Sequence, residues 1–189
     1  MIAFLDGELL DLQPGLAVVA CGGVGYEVRL PLSAHPDLAG RPRVALWIHT
    51  HVREDQLALF GFPTRGERDM FRALIAVSGV GPRMALALLS GLNPEEVAAA
   101  VEGEQWRRLA AVPGIGKRTA ERLIVELKGK VRPGAPGGGV SLREDAVSAL
   151  VNLGYAQRLA EEAVGELLRG APGIELGELL RRALQSLTR

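Results

Sequence analysis

Two stretches decide how this chain reads: VSGVGPRMALALLSGL, residues Val77–Leu92, and VPGIGKRTAERLIVEL, residues Val112–Leu127. Laid over each other they share the leading valine, two glycines (Gly79 and Gly81; Gly114 and Gly116), an arginine (Arg83; Arg118), an alanine (Ala85; Ala120) and two leucines. The common core is G-[VI]-G-x-R-x-A, with an apolar helical pattern on either side. Each copy predicts a helix, a tight hairpin and a second helix. Glycine tolerates positive φ and places no side chain between backbone and ligand.

Lys117 and Arg118 stand where the second copy's later helix begins. A helix N-terminus carries partial positive charge, so each cation there costs about 0.3–1 kcal/mol. A phosphate at the hairpin reverses the sign. Bare N–H groups, the helix dipole and the cations then all attract the same anion. The candidate phosphate contacts are the amides of Gly79, Gly81, Gly114 and Gly116, with Arg83, Lys117, Arg118, Thr119 and, one turn on, Arg122. The competing reading is that the glycines merely turn the chain while Lys117 pairs with Glu121 and Arg122 with Glu126, as i,i+4 spacing permits. A nucleotide loop is excluded by two mismatches. Ala111 stands where G-x-x-x-x-G-K-[ST] needs its first glycine, and Arg118 replaces the hydroxyl residue.

Around this repeat the sequence changes character at recognisable points. Residues 1–62 read as about five short strands, with Gly22-Gly23 as a two-residue hairpin between LAVVAC and VGYEVRL. Five strands in so short a span predict a small closed OB-like barrel, or an open sheet packed on the next region. Residues 63–130 turn helical, with capping boxes at Thr64/Glu67 and at Asn93/Glu96. Helices are expected near 65–77, 82–90, 94–101, 104–110 and 117–129. Residues 131–140, VRPGAPGGGV, read as a Pro/Gly-rich linker. Residues 141–189 open with a third capping box, Ser141/Glu144, and predict three short helices near 142–152, 156–169 and 175–187. The fold class is therefore α+β multidomain: OB-like barrel, tandem helix-hairpin-helix domain, small three-helix domain.

Composition narrows the function. The 189 residues carry 22 basic and 22 acidic side chains. The excess is local: residues 63–130 hold eleven basic against eight acidic groups, whereas residues 1–62 hold four against seven. An anionic partner is expected at the helical region. The single cysteine, Cys21, rules out an internal disulfide and favours a reducing compartment. The opening MIAFLDGELLD lacks a basic leader region, and no uninterrupted apolar span is long enough for a membrane, so a cytoplasmic location is expected. His49 and His51 share a strand face, but His35 is the only other histidine and no ligand set forms around them. No metal, cofactor or catalytic centre is expected.

The glycine hairpins resemble the helix-hairpin-helix motif of non-sequence-specific DNA-binding proteins. With GGVGYEV, VREDQLALFGF, PGIGKRTAERLIVELK and AVSALVNLGY in this order, nearly the full chain resembles the RuvA family of Holliday-junction-binding proteins. That resemblance implies a homotetramer, or two tetramers on one four-way junction, serving recombination and repair. It implies that residues 141–189 dock a RuvB-like ATPase that drives branch migration. It also implies that Glu54 and Asp55, which by themselves read as a solvated turn, form an acidic pin at the junction centre. The barrel's aromatics, Phe4, Tyr26, Trp47, Phe60 and Phe62, are too few to serve both core and base stacking, so a scaffold role fits it better. In the last region Leu168 and Leu176 are candidate partner contacts. Two rivals remain: a helix-hairpin-helix nuclease or glycosylase, and a scaffold that binds only protein.

Overall fold

The computed structural model describes residues 1–54, 56–131, 142–170 and 174–187, the side chain of Glu144 excepted. Strand β1 (Phe4–Gln13) serves two neighbours. Its first half pairs with β4 (Arg43–Val52), from Phe4 opposite Trp47 to Glu8 opposite Arg43. Its second half pairs with β2 (Leu16–Cys21), from Glu8 opposite Ala20 to Gln13 opposite Leu16. The register slips between Leu9 and Asp11, a bulge that turns Leu10 outward and lets the strand curl. Gly7 marks the handover between partners. A Cβ there would lie 2.1 Å from the Ala20 carbonyl oxygen and 2.7 Å from Cys21 Sγ.

Strand β3 (Val24–Arg29) follows β2 through Gly22 and Gly23, both at positive φ (58° and 84°), as the dipeptide predicts. Strand β5 (Leu57–Phe62) pairs antiparallel with β4 and parallel with β3, and so closes a barrel in the order β1-β2-β3-β5-β4. The closed OB-like alternative is the one the chain adopts. A short 3-10 turn (Leu32–Ala34) and helix α1 (His35–Leu38), neither anticipated from the sequence, connect β3 to β4.

Helices α2 (Arg65–Ala76), α3 (Pro82–Gly91), α4 (Pro94–Glu102), α5 (Trp106–Ala110) and α6 (Lys117–Leu127) fall close to their expected places. Both internal capping boxes form. Thr64 Oγ1 accepts from the Glu67 amide at 3.2 Å and Asn93 Oδ1 from the Glu96 amide at 2.8 Å, with each glutamate reaching back to its cap.

The barrel keeps a core of its own, and Ala58, Phe60 and Phe62 of β5 join the helical one. Phe71 of α2 stacks on Phe60 and packs on Phe62, both at 5.0 Å between ring centroids, and His49 of β4 joins at 5.4 Å. The 3-10 turn is fastened to α3: Ser33 Oγ donates to the Leu89 carbonyl and the Leu32 amide to Ser90 Oγ, each at 2.8 Å. Phe60 and Phe62 are therefore committed to this seam. Val131, placed in the linker by its neighbours' composition, is a correction. It is buried in the helical core, with its amide bonded to the Leu127 carbonyl, because a branched apolar side chain one turn past α6 reaches that core. The rest of the expected linker, Ser141 of the third capping box and the Pro172-Gly173 pair lie outside the described residues.

The described residues through Val131 form one unit and those from Leu142 a second. In the second, α7 (Leu142–Asn152), α8 (Gln157–Gly170) and α9 (Leu176–Leu187) close around Ala146, Leu150, Ala160, Val164, Leu179 and Ala183. Leu168 and Leu176, expected to be exposed, are partly buried against this cluster. Among the described residues of this unit the exposed leucines are Leu142, Leu153 and Leu159. Among the described residues no helix is long and apolar enough to cross a membrane.

Two substitutions test this packing. Gly7→Ala forces the β1 handover apart and is expected to lower stability by about 1–3 kcal/mol, the cost of overpacking. Gly25→Ala, whose Cβ would sit 3.5 Å from Val18 Cγ1, is expected to be near neutral in the same melts. The seam also predicts a pH dependence. Burial, then the charges of Arg72 and Arg68 and the neighbouring His51, hold the His49 pKa below its ordinary value. The unfolded chain protonates this residue near pH 6.5 while the folded chain resists. Stability is therefore flat above that pH and falls as the pH drops below it. His49→Leu is expected to flatten this acid limb, read as melting temperature between pH 8 and 5.5.

Candidate nucleic-acid interface

The two hairpins have the same internal construction. In the first, Val77 and Val80 are buried, and the Val80 amide donates to the Val77 carbonyl at 3.0 Å. In the second, Val112 and Ile115 are buried, with the Ile115 amide donating to Val112 at 3.1 Å. Between each pair the chain turns through a left-handed glycine, Gly79 at φ 84° and Gly114 at φ 87°. The next glycine is the N-cap of the following helix. Gly81 (φ −88°, ψ 168°) caps α3 and Gly116 (φ −81°, ψ 166°) caps α6. Buried aliphatics hold each loop from below, and the four glycines are exposed above.

These two helix starts differ from those of α2 and α4, while the short α5 likewise has no side-chain cap and no acidic first turn. Helices α2 and α4 carry full capping boxes and acidic side chains in the first turn. Helices α3 and α6 have neither. Their first-turn N–H groups are left without a side-chain acceptor, and α6 adds two cations where the dipole disfavours them.

The expected contact residues come together here. Arg83 and Arg118 are exposed and make no ion pair or hydrogen bond with any described residue. Lys117 forms the i,i+4 pair with Glu121, at 3.7 Å with both side chains at least half exposed, a pair worth little in solvent. Thr119 is half-buried in the first turn. Arg122 makes a contact the spacing did not reveal. Instead of pairing with Glu126, its Nη1 donates to the Ser78 carbonyl at 2.9 Å, across to the other hairpin. The second repeat's helix thus holds the first repeat's loop.

Helix α6 is also held at its far end. Lys128 bonds Glu104, lowering that carboxyl's pKa, and Glu102 accepts the Gly129 amide at 2.8 Å. Glu104 takes a left-handed φ of 53° in the turn before α5, a conformation uncommon outside glycine and asparagine.

A groove runs from the first hairpin onto the barrel, lined by Gly81 and Arg83 with Arg29, His51, Arg53 and Phe60. Among the described residues no carboxylate lines it. Arg53 Nε donates to His51 Nε2 at 3.1 Å, and Arg29 lies 5.9 Å from the Phe60 ring. Arg29 and Arg53 escape a reading of the sequence alone, since 54 positions separate Arg29 from Arg83 and no local pattern joins them. Glu54 is exposed in the β4–β5 turn, which is closed by the Arg53 amide donating to Gln56 at 2.8 Å. Asp55 lies outside the described residues. Among the described residues no group of three or more potential metal ligands forms.

Comparison with known proteins agrees with this layout. Residues 1–61 match the model of the RuvA N-terminal domain, residues 71–130 that of the SAM-like helix-hairpin-helix tandem, and residues 141–188 that of the RuvA C-terminal domain. The chain is 45% identical to the Holliday junction branch migration complex subunit RuvA of Syntrophotalea carbinolica, over 100% of both chains. It is 46% identical to the protein of that name from Delftia acidovorans and 44% identical to the one from Alkalilimnicola ehrlichii, again over 100% of each. With both terminal-domain models matched in order and such identity from end to end, the chain belongs to the RuvA family.

Proposed function

We propose that this chain is a non-catalytic, cytoplasmic DNA-binding subunit that grips four-way junction DNA by its phosphates and presents it to a partner ATPase for branch migration. The observation that carries this reading is the contrast between capped and uncapped helices. The same helical region builds complete capping boxes on α2 and α4, yet leaves α3 and α6 opening on bare glycine with cations beside them. Two such cradles in one rigid region suit a ligand with repeated phosphates. Contacts of this kind position a duplex without reading its bases.

Each residue then has a physical task. The amides of Gly79, Gly81, Gly114 and Gly116 face the sugar-phosphate backbone. Arg83, Lys117, Arg118 and the remaining donors of Arg122 add charge, and Thr119 adds a hydroxyl in the first turn. Arg29 and Arg53 extend the cationic track from the first hairpin onto the barrel. Beyond that track Glu54, with Asp55, repels phosphate at the junction centre. At 4 Å two unit charges interact by about 1 kcal/mol in water and several-fold more where water is thinned. Fourfold assembly of the barrels would set four such tracks around one junction, and the unit from residue 142 onward would dock the motor. The names of the relatives support the junction and the branch migration complex.

Salt dependence separates this function from a protein-only scaffold. Removing one phosphate contact flattens the slope of log K against log[salt] by about 0.9 for duplex DNA. Lys117→Ala with Arg118→Ala is expected to flatten it by roughly twice that and to weaken junction binding, whereas Glu54→Ala is expected not to weaken it. An unchanged slope in the double variant favours the scaffold. Metal-dependent cleavage of a junction by the purified chain favours a nuclease.

A further inference from the structure

The two repeats diverge at one aromatic position. Phe71 and Trp106 occupy equivalent places, each six residues before the valine that opens its hairpin. Phe71 is fully buried against Phe60 and Phe62, where it fastens α2 to the barrel. Trp106 has no barrel to meet. It opens α5, packs partly on the helical core, and its indole meets two cations. Lys117 Nζ lies 5.1 Å from the ring centroid, and the Arg107 guanidinium lies 5.1 Å from it as well. The partner position diverges in step: Lys117 corresponds to Pro82 in the first repeat, which has no charge to hold.

We infer that Trp106 is a positioning residue for DNA binding at the second hairpin, acting through Lys117. This rests on the reading that Lys117 meets a phosphate. An unrestrained lysine at the surface samples many rotamers and loses that freedom on binding. Glu121 restrains it, but lies one turn along α6 and neutralises the charge that a phosphate needs. An aromatic face attracts an ammonium without neutralising it. Trp106 sits on the helix that precedes the hairpin, so its ring draws the ammonium back toward the loop. When phosphate displaces Glu121, the ring contact can persist. The first hairpin has no such device and relies on Arg83 and on Arg122 reaching across to Ser78.

The test is a double-mutant cycle on the full-length chain, read as Kd for a synthetic four-way junction at low salt. Trp106→Leu, which keeps apolar volume but no ring, is expected to weaken binding about two- to fivefold. The same change in a Lys117→Ala background is expected to have no further effect. Trp106→Phe, which keeps a smaller ring, is expected to fall between tryptophan and leucine. If the leucine variant does not fold, the cycle is run with phenylalanine, and its effect must likewise vanish without Lys117. An equal weakening with and without Lys117, or no weakening from either variant, overturns the inference while leaving the phosphate reading intact. If Lys117→Ala alone leaves Kd unchanged, the phosphate role of Lys117 fails and the role of Trp106 falls with it.

Discussion

A left-handed glycine pinned between two buried aliphatic side chains is the constraint on which the rest of this structure depends. Val77 and Val80 hold the first loop down, and Val112 and Ile115 hold the second. The turn between them needs φ near +85°, which any side chain would strain. The following glycine opens a helix with no side-chain acceptor for its first amides. Apolar burial below and polar vacancy above therefore come from the same few residues. The underside of each loop is core, and among the described residues no side chain caps the helix start above it.

The barrel contributes position more than chemistry. Phe60 and Phe62, on the face of β5 opposite the barrel core, lock onto Phe71 of α2, and the serine pair Ser33 and Ser90 fastens a second point. Hairpins, groove and acidic turn are thereby fixed in one body, with cations and carboxylate set a few residues apart along β4 and its turn. A barrel that commits Phe60 and Phe62 to this seam has few aromatics left to stack on bases. Arg122 performs a similar service between the repeats, so neither loop is an independent module.

Much of this was legible in the sequence because the relevant signals are local. A glycine that must turn left, a Thr or Asn three residues before Glu, and a Gly-Gly pair between alternating strands each act within a few bonds. The repeat made the hairpins visible twice. What escaped depends on residues distant in sequence. Arg29, Arg53 and Arg83 meet in one groove only after the barrel closes. Trp106 reads as an ordinary amphipathic residue until α5 and α6 pack. Val131 is assigned to the linker because proline and glycine follow it, and its burial depends on the core it reaches. Leu153 and Leu159 fit the apolar period of α7 and α8 yet face solvent, because the three-helix cluster is too small to cover every leucine on that period.

The central claim is that both glycine loops face nucleic acid with their backbone amides. The most direct measurement follows the amide resonances of Gly79, Gly81, Gly114 and Gly116 in the full-length chain as a four-way junction is added. The account predicts that all four shift and gain protection from exchange, while glycines at the barrel's β2–β3 hairpin, Gly22 and Gly23, do not. Loop amides that stay unchanged on a saturated junction would contradict it.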